Sequence, residues 1–171
     1  SPWRNHRPWA YHMMVEERTT YVIGDVHGML SPLEELLEQI YYDARQEGAT
    51  PFLVFVGDLV DRGPDSKGVV QRVKRLVKEG TAACVLGNHD EMFLQTLGLT
   101  RPDLLRGEAP PTPEVGAWMM LRHWISQGGD RTLGSYGCEP RNPPGWDLPA
   151  EDIDFLANLP LYWESETLVI T

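Results

Sequence analysis

The sequence predicts an α/β fold in which parallel strands alternate with helices. The same organisation occurs three times along the chain, in residues 19–48, 51–80 and 81–97. Each segment begins with a short apolar run, continues with a polar cluster flanked by glycines and ends in a helical pattern. A strand and a helix that recur about every 30 residues are typical of βαβ units, which require parallel strands. The chain has 171 residues, 42% of them hydrophobic, which suffices for one domain with a core.

The first unit starts with "TTYVIGDVHG", which predicts a strand that ends in a polar turn. "SPLEELLEQIYYDARQEG" follows and predicts a helix, with Ser31 as N-cap, Pro32 at the first helical position and Glu34 completing a capping box. Gly48 is the expected stop. The apolar positions form a single stripe at helical spacing: Leu33, Leu36, Leu37 and Ile40.

The next two units repeat this plan. "PFLVFVGDLV" predicts a buried strand, and "DSKGVVQRVKRLVKEG" predicts an amphipathic helix. The apolar side of that helix is formed by Val69, Val70, Val73, Leu76 and Val77. "TAACVLGNHD" predicts the third strand, and "EMFLQTL" begins another helix.

The second half of the chain has a different organisation. Residues 100–116 are proline-rich and predict a loop, whereas residues 113–129 predict a helix with Trp118, Leu121, Trp124 and Ile125 on one face. "GGDRTLGSYG" predicts a glycine-rich loop with room for a short helix, "PAEDIDFLANLP" a short capped helix, and "LYWESETLVIT" a hairpin. Residues 1–13 show no period and are interpreted as an N-terminal arm, native or added, ahead of one domain over residues 14–171.

Composition and charge restrict the classes of function. The chain has 15 basic and 25 acidic residues, which give a net charge of −10. This charge disfavours broad nucleic-acid binding and suits divalent cations. No apolar run approaches the roughly 18 residues of a membrane span. The two cysteines form no disulfide framework, and Cys84 in "AACVL" is predicted to be a buried thiol. A reducing, cytoplasmic setting is therefore expected.

The polar clusters at the strand ends are the candidate functional residues. In an open parallel sheet, the carboxyl ends of the strands form the ligand-binding edge, so the three clusters should converge there. Several aspartates at one edge repel each other unless a cation compensates them, although a single aspartate after a strand is often only a turn or cap residue. Oxygen ligands with some imidazole suit Mn²⁺, Fe or Zn²⁺. The clusters are Asp25 and His27; Asp58, Asp61 and Arg62; and Asn88, His89 and Asp90.

These motifs carry a family resemblance. "GDVHG", "GDLVDRG" and "GNHD", in this order and about 30 residues apart, resemble the phosphoprotein phosphatase branch of the calcineurin-like metallophosphoesterases. The resemblance covers residues 21–97 firmly, and "SQGGDRTLGSYG" and "LPLYWESETLVIT" are similar to bacterial members. It implies a metallophosphoesterase-type αββα sandwich, of which this chain holds the N-terminal βαβαβ half and part of the second half.

The resemblance also implies a pair of divalent metal ions, with Mn²⁺ expected and Fe or Zn²⁺ as alternatives. Asp25 and His27 would bind the first ion, Asp58 would bridge both, and Asn88 would bind the second. The family takes two further histidines downstream, the first in a His-Ala-Gly motif after a strand like "ETLVI", where this chain ends at Thr171. On this basis we expect a longer functional protein, or a short variant with an incomplete second site.

Three more residues receive roles from the resemblance. His89 would be the general acid on the leaving oxygen, Asp61 would hydrogen-bond and aim His89, and Arg62 would grip phosphate oxygens. Outside the motifs, Arg131 in the glycine-rich loop is a candidate to face substrate, and His123 is interpreted as a core or surface histidine.

The expected function is a metal-dependent phosphomonoesterase of the serine/threonine phosphatase type, acting on a phosphorylated protein or a small phosphoester. Two alternatives stay open at this point. The family includes symmetrical diadenosine tetraphosphate hydrolases, whose site chemistry is the same. A truncated relative that binds metal without turnover is the third interpretation.

Overall fold

A computed structural model describes residues 18–99, 113–141 and 145–171. The predicted arm with its boundary at residue 13, and most of the proline-rich loop, lie outside these ranges. The described elements are β1 (Arg18–Ile23), α1 (Leu30–Gln46), β2 (Thr50–Phe55), α2 (Ser66–Lys78), β3 (Ala82–Cys84), α3 (Asn88–Thr96), α4 (Pro113–Trp124), a π-helix (Ile125–Gly129), α5 (Asp130–Ser135), α6 (Ala150–Ala157), β4 (Trp163–Glu164) and β5 (Val169–Ile170).

The first three strands form a parallel sheet in the order β1–β2–β3, which confirms the predicted strand direction. Their register places the last residues level with one another, since Ile23 pairs with Phe55 and Phe55 with Cys84. The chain therefore leaves all three strands at the same edge of the sheet, and the three polar clusters follow directly.

Helices α1 and α2 cover one face of this sheet. Helix α1 packs against β2, α2 packs against β3, and the two helices contact each other. The buried side of α2 is the predicted valine and leucine stripe, and Asp65 caps this helix by accepting a hydrogen bond from the Gly68 amide at 2.7 Å. Burial of these apolar side chains is the main stabilising contribution to the α/β unit.

The predicted start of α1 is wrong by two residues. The helix begins at Leu30 and Met29 is its N-cap, without a side-chain hydrogen bond, so Ser31 is not the cap and Pro32 is the third helical residue. Proline fits there because the first four amides of a helix have no partner within the helix. Glu34 instead accepts a hydrogen bond from Arg72 of α2 at 2.7 Å.

The second half forms the helices that the sequence predicts over residues 113–129 and within the glycine-rich segment. The segment "ISQGG" continues α4 as a π-helix, with Gly128 at φ 104°, and α5 follows without an intervening loop. Trp124 is fully buried whereas Trp118 is 59% exposed, so the predicted common face of α4 is only partly buried. The hairpin is confirmed, with β4 and β5 antiparallel.

The structure also bears on two expectations from composition. Cys84 and Cys138 are buried free thiols, as predicted for Cys84. Within the described ranges, no helix combines the length and the apolar character that crossing a membrane requires.

Candidate active site

The loops that follow β1 and β2 are tied together by backbone hydrogen bonds. The carbonyl oxygen of Asp58 accepts from the His27 amide at 2.9 Å, and the Leu59 carbonyl accepts from the Gly28 amide at 2.9 Å. The Gly28 carbonyl in turn accepts from the amide of Asp65, also at 2.9 Å. These hydrogen bonds hold the two loops against each other and fix the spacing between His27 and Asp58.

The third loop joins this unit through α3. The His89 amide donates to Asp58 Oδ1 at 2.8 Å. The fully buried carboxylate of Asp90 accepts from the amides of Leu59 at 2.9 Å and Gly87 at 3.1 Å. Burial raises the pKa of Asp90 to about 7, against the opposing effect of these amide donors. Asp90 thus ties the loop after β2 to the start of α3.

The backbone is strained at the site. Four non-glycine residues in the described ranges have a positive φ: His27 at 44°, Asp58 at 51°, Asp61 at 73° and Arg62 at 68°. All four belong to the residues singled out from the sequence. Such conformations cost about 1–3 kcal/mol each and concentrate at functional sites. Backbone geometry therefore points to this edge of the sheet independently of the motifs.

Three side chains bring potential metal ligands together. One donor atom each from His27, Asp58 and His89 lies within 4.8 Å of the others. His27 Nδ1 is 2.8 Å from the Val60 carbonyl oxygen, which can only accept, so Nδ1 carries the proton and Nε2 keeps its lone pair. A histidine held this way is a suitable metal ligand, and the donor set fits a divalent ion.

Asp25 and Asn88 lie at the margin of this cluster. The carboxylate of Asp25 is exposed, and its Oδ2 is 3.7 Å from His27 Nε2. The two residues are near each other, as their shared role at the first ion implied, and the backbone of His27 is left-handed. Asn88 is the first residue of α3 and is exposed.

Arg62 places a positive charge between the two imidazoles. Its Nη1 lies 3.3 Å from His27 Nε2, and its Nη2 lies 3.2 Å from His89 Nε2. A guanidinium only donates, so both Nε2 atoms act as acceptors here. A metal ion bound to His27 would therefore compete with the arginine for the Nε2 lone pair of that residue.

His89 and Asp61 form the hydrogen bond that the resemblance implied. His89 Nδ1 is 2.7 Å from Asp61 Oδ2, and both side chains are buried. The same carboxylate accepts from the indole of Trp124 and the hydroxyl of Thr132. Burial raises the pKa of Asp61, and the hydrogen bonds from Thr132, His89 and Trp124 oppose that rise.

Sequence reasoning missed Trp124 and Thr132. The two residues flank the glycine pair in the segment "W…QGGDRT", which is the only sequence feature that could have drawn attention to them. The residues of this segment do not indicate a contact with Asp61. The two other candidates outside the motifs are on the surface: His123 is exposed near the end of α4, and Arg131 is exposed on α5. A substrate contact for Arg131 stays a prediction.

Comparison with known proteins agrees with this geometry. The sequence model for "calcineurin-like phosphoesterase" matches residues 18–168. The symmetrical bis(5'-nucleosyl)-tetraphosphatase of Coxiella burnetii is 36% identical over 158 residues, which cover 85% of this chain and 51% of the relative. The asymmetrical bis(5'-nucleosyl)-tetraphosphatase PrpE of Oceanobacillus iheyensis is 49% identical over 72 residues, which cover 40% of this chain and 29% of the relative.

Among solved structures, a candidate diadenosine tetraphosphatase aligns with a TM-score of 0.44 at 27% identity, covering 85% of this chain and 48% of that structure. The chain thus spans about half the length of the Coxiella relative and of this structure. The family assignment rests on the match to residues 18–168, which include all three motifs. The chain belongs to the calcineurin-like phosphoesterase family.

Proposed function

We propose that this chain supplies the metal-dependent hydrolytic centre of a dinucleoside tetraphosphate hydrolase. The observation that carries the proposal is the convergence of His27, Asp58 and His89 donor atoms within 4.8 Å, with the Arg62 guanidinium against both imidazoles. The names of the Coxiella and Oceanobacillus relatives supply the substrate class. These relatives support the alternative from the sequence better than a serine/threonine phosphatase.

The ligand roles follow the donor atoms. His27 and Asp58 would hold the first ion together with Asp25, whose carboxylate is close to His27. Asp58 would bridge to a second ion, to which Asn88 contributes its amide oxygen. Divalent ions supply a hydrolytic water at neutral pH and neutralise phosphate oxygens. We expect Mn²⁺ because the proposed ligands combine carboxylate and amide oxygens with an imidazole nitrogen, and Fe and Zn²⁺ are the alternatives.

Arg62 would bind the phosphate chain. Its planar guanidinium suits two parallel hydrogen bonds to phosphate oxygens. Because it occupies the Nε2 lone pair of His27 that a metal ion needs, metal binding would release the guanidinium from His27. The exposed position of Arg62 leaves room for that movement. The arginine would then be available to substrate when the metal site is filled.

His89 would donate a proton to the leaving group, held by Asp61. The importance of this step depends on the leaving group. Hydrolysis of a tetraphosphate releases a nucleotide whose terminal phosphate has a second pKa of about 6, whereas a serine phosphate releases an alkoxide that requires a proton. An anhydride substrate should therefore depend on His89 less than an alkyl phosphate does.

A side-by-side assay tests the proposal. The full-length protein that contains this chain would be incubated with Mn²⁺ and, separately, diadenosine tetraphosphate, a serine phosphopeptide and an aryl phosphate. We expect the tetraphosphate to be the preferred substrate, with ADP alone as product for symmetrical cleavage and ATP with AMP for asymmetrical cleavage. Preference for the phosphopeptide would instead support the protein phosphatase expectation, and no turnover of any substrate would contradict the proposal.

Matched variants make the assay specific to the site. Asp58→Asn should abolish turnover because the amide removes the negative charge of the proposed bridging ligand. Asp147→Asn makes the same chemical change at an exposed residue outside the site and should leave turnover unchanged. Equal effects of the two substitutions would show that the activity does not arise at this cluster.

A further inference from the structure

The carboxylate of Asp61 accepts hydrogen bonds from two side chains besides His89. Thr132 Oγ1 donates to Asp61 Oδ1 at 2.7 Å, and Trp124 Nε1 lies 3.0 Å from Oδ1 and 2.9 Å from Oδ2. Thr132 also accepts from the Asp61 amide at 2.8 Å. All three residues are fully buried: Asp61, Trp124 and Thr132. Water therefore does not compete for these hydrogen bonds.

The π-helix places the two donors. Trp124 is the last residue of α4, and Thr132 lies in the first turn of α5, one on each side of the π-helix. Gly129 packs against the face of the Trp124 ring, where a Cβ atom would overlap the indole. The Gly128 carbonyl accepts from the Arg62 amide at 3.3 Å. The segment is therefore fitted to the loop that carries Asp61 and Arg62, in keeping with the frequent occurrence of π-helical turns at functional sites.

We propose that Trp124 and Thr132 are positioning residues for His89 and that they act through Asp61. The indole and the hydroxyl fix the plane of the carboxylate, which leaves an Oδ2 lone pair directed at His89 Nδ1. The imidazole is thereby kept in the orientation that turns Nε2 towards His27 and Arg62. The effect on turnover rests on the proposed function, because it assumes that His89 acts in the reaction.

Loss of the Trp124 or Thr132 hydrogen bond should change the rate of the reaction, whereas loss of an ordinary core contact should change only the stability of the fold. Removing one hydrogen bond allows the Asp61 carboxylate to rotate and lets the imidazole sample other orientations. Since bonds to charged groups are strong, we expect kcat for a phosphopeptide, whose alkoxide leaving group needs the His89 proton, to fall about ten- to a hundred-fold on loss of either donor. KM should change less than about two-fold, because neither residue belongs to the proposed metal or phosphate contacts.

Two variants and two controls test this inference. Trp124→Phe keeps a large ring stacked on Phe93 but removes the N–H group, and Thr132→Val removes the hydroxyl at nearly constant shape. Thr132→Ser keeps the hydroxyl and should restore kcat to within about three-fold of the original protein. Trp118→Phe makes the same aromatic change at an exposed position of α4 and should have no effect.

A second readout does not depend on turnover. In the metal-free protein labelled with ¹⁵N-histidine, and assigned with His89→Asn, we expect His89 to give a hydrogen-bonded Nδ1 proton protected from exchange with water. Trp124→Phe and Thr132→Val should weaken or abolish that signal, whereas Thr132→Ser and Trp118→Phe should retain it. An unchanged signal in the first two variants would overturn the proposal.

The two readouts separate the possible failures. If the original protein hydrolyses none of the substrates, the proposed function fails, while the Nδ1 signal still tests the positioning role. If Trp124→Phe and Thr132→Val are folded by circular dichroism and keep kcat within two-fold, the positioning role is refuted. Loss of kcat in these variants without any change of the Nδ1 signal would also refute it, because the loss would then be unrelated to the orientation of His89.

Discussion

Asp61→Asn should impair catalysis far more than it impairs folding. The substitution keeps the shape of the side chain but replaces one acceptor oxygen by an NH₂ donor. Both carboxylate oxygens lie within hydrogen-bond distance of Trp124 Nε1, at 2.9 and 3.0 Å. Wherever the amide nitrogen is placed, it therefore faces an indole N–H that can only donate, and an unsatisfied buried donor costs about 1–3 kcal/mol.

The loss of the Asp61 charge offsets part of that cost in a pH-dependent way. Burial raises the folded-state pKa of Asp61 above its unfolded value of 3.8, so the protonated form is favoured by folding. The corresponding stabilisation is present below pH 3.8 and is lost as the pH rises through the folded-state pKa. The side-chain amide of the variant has no such titration. The free energy of unfolding of Asp61→Asn should therefore improve relative to the original protein as the pH rises from about 4 towards neutrality.

The effect on catalysis has a different origin. Without the carboxylate, the proposed acid His89 loses the partner that aims it and stabilises its charged form. A general acid contributes about 10²–10⁴-fold, and we expect kcat for an alkyl phosphate or phosphopeptide to fall within that range. Urea unfolding at several pH values and steady-state kinetics with Mn²⁺ are the two assays. An Asp61→Asn protein that unfolds far more easily at neutral pH while keeping its kcat would refute the reasoning on both counts.

Four further predictions concern single side chains. Arg62→Ala should bind Mn²⁺ several-fold more tightly in calorimetry, because the guanidinium no longer competes for the Nε2 lone pair of His27. Asp58→Asn should bind less metal per chain, measured by metal analysis, while its circular dichroism is unchanged. His89→Asn should slow an alkyl phosphate more than an aryl phosphate, and equal losses would argue against proton donation. Asp152→Ala should destabilise the fold by about 1–3 kcal/mol in urea unfolding, because the buried Tyr136 hydroxyl, which donates to this carboxylate at 3.1 Å, is left without its acceptor.

The fold near the site was predictable because its signals are local. Apolar runs of strand length, a valine stripe at helical spacing and an aspartate cap are all visible within about 15 residues of sequence, and the parallel arrangement follows from their alternation. The convergence of His27, Asp58 and His89 then follows from the direction of the strands. The start of α1 was mispredicted because Ser31 and Pro32 are common in the first turn of helices at more than one position.

The hydrogen bonds to Asp61 were not predictable in the same way. Trp124 is 63 positions from Asp61 and Thr132 is 71 positions away, so their contacts depend on how the second half packs on the sheet. The glycine pair at 128–129 lay in both the predicted helix over residues 113–129 and the predicted glycine-rich loop, and no local signal indicated the π-helix that the backbone forms there. Tertiary contacts with Arg62 and Trp124 explain the glycines better than local propensity does.

The strain and the buried charge at the site have a common interpretation. Four non-glycine residues with positive φ cost about 1–3 kcal/mol each, and a buried carboxylate at Asp61 adds a further cost at neutral pH. None of these features is needed to build the sheet, whose core is formed by apolar residues such as Leu53 and Phe55. Their concentration at the carboxyl edge is therefore best explained by the geometry that the site requires, since the left-handed residues turn His27, Asp58 and Arg62 towards one point.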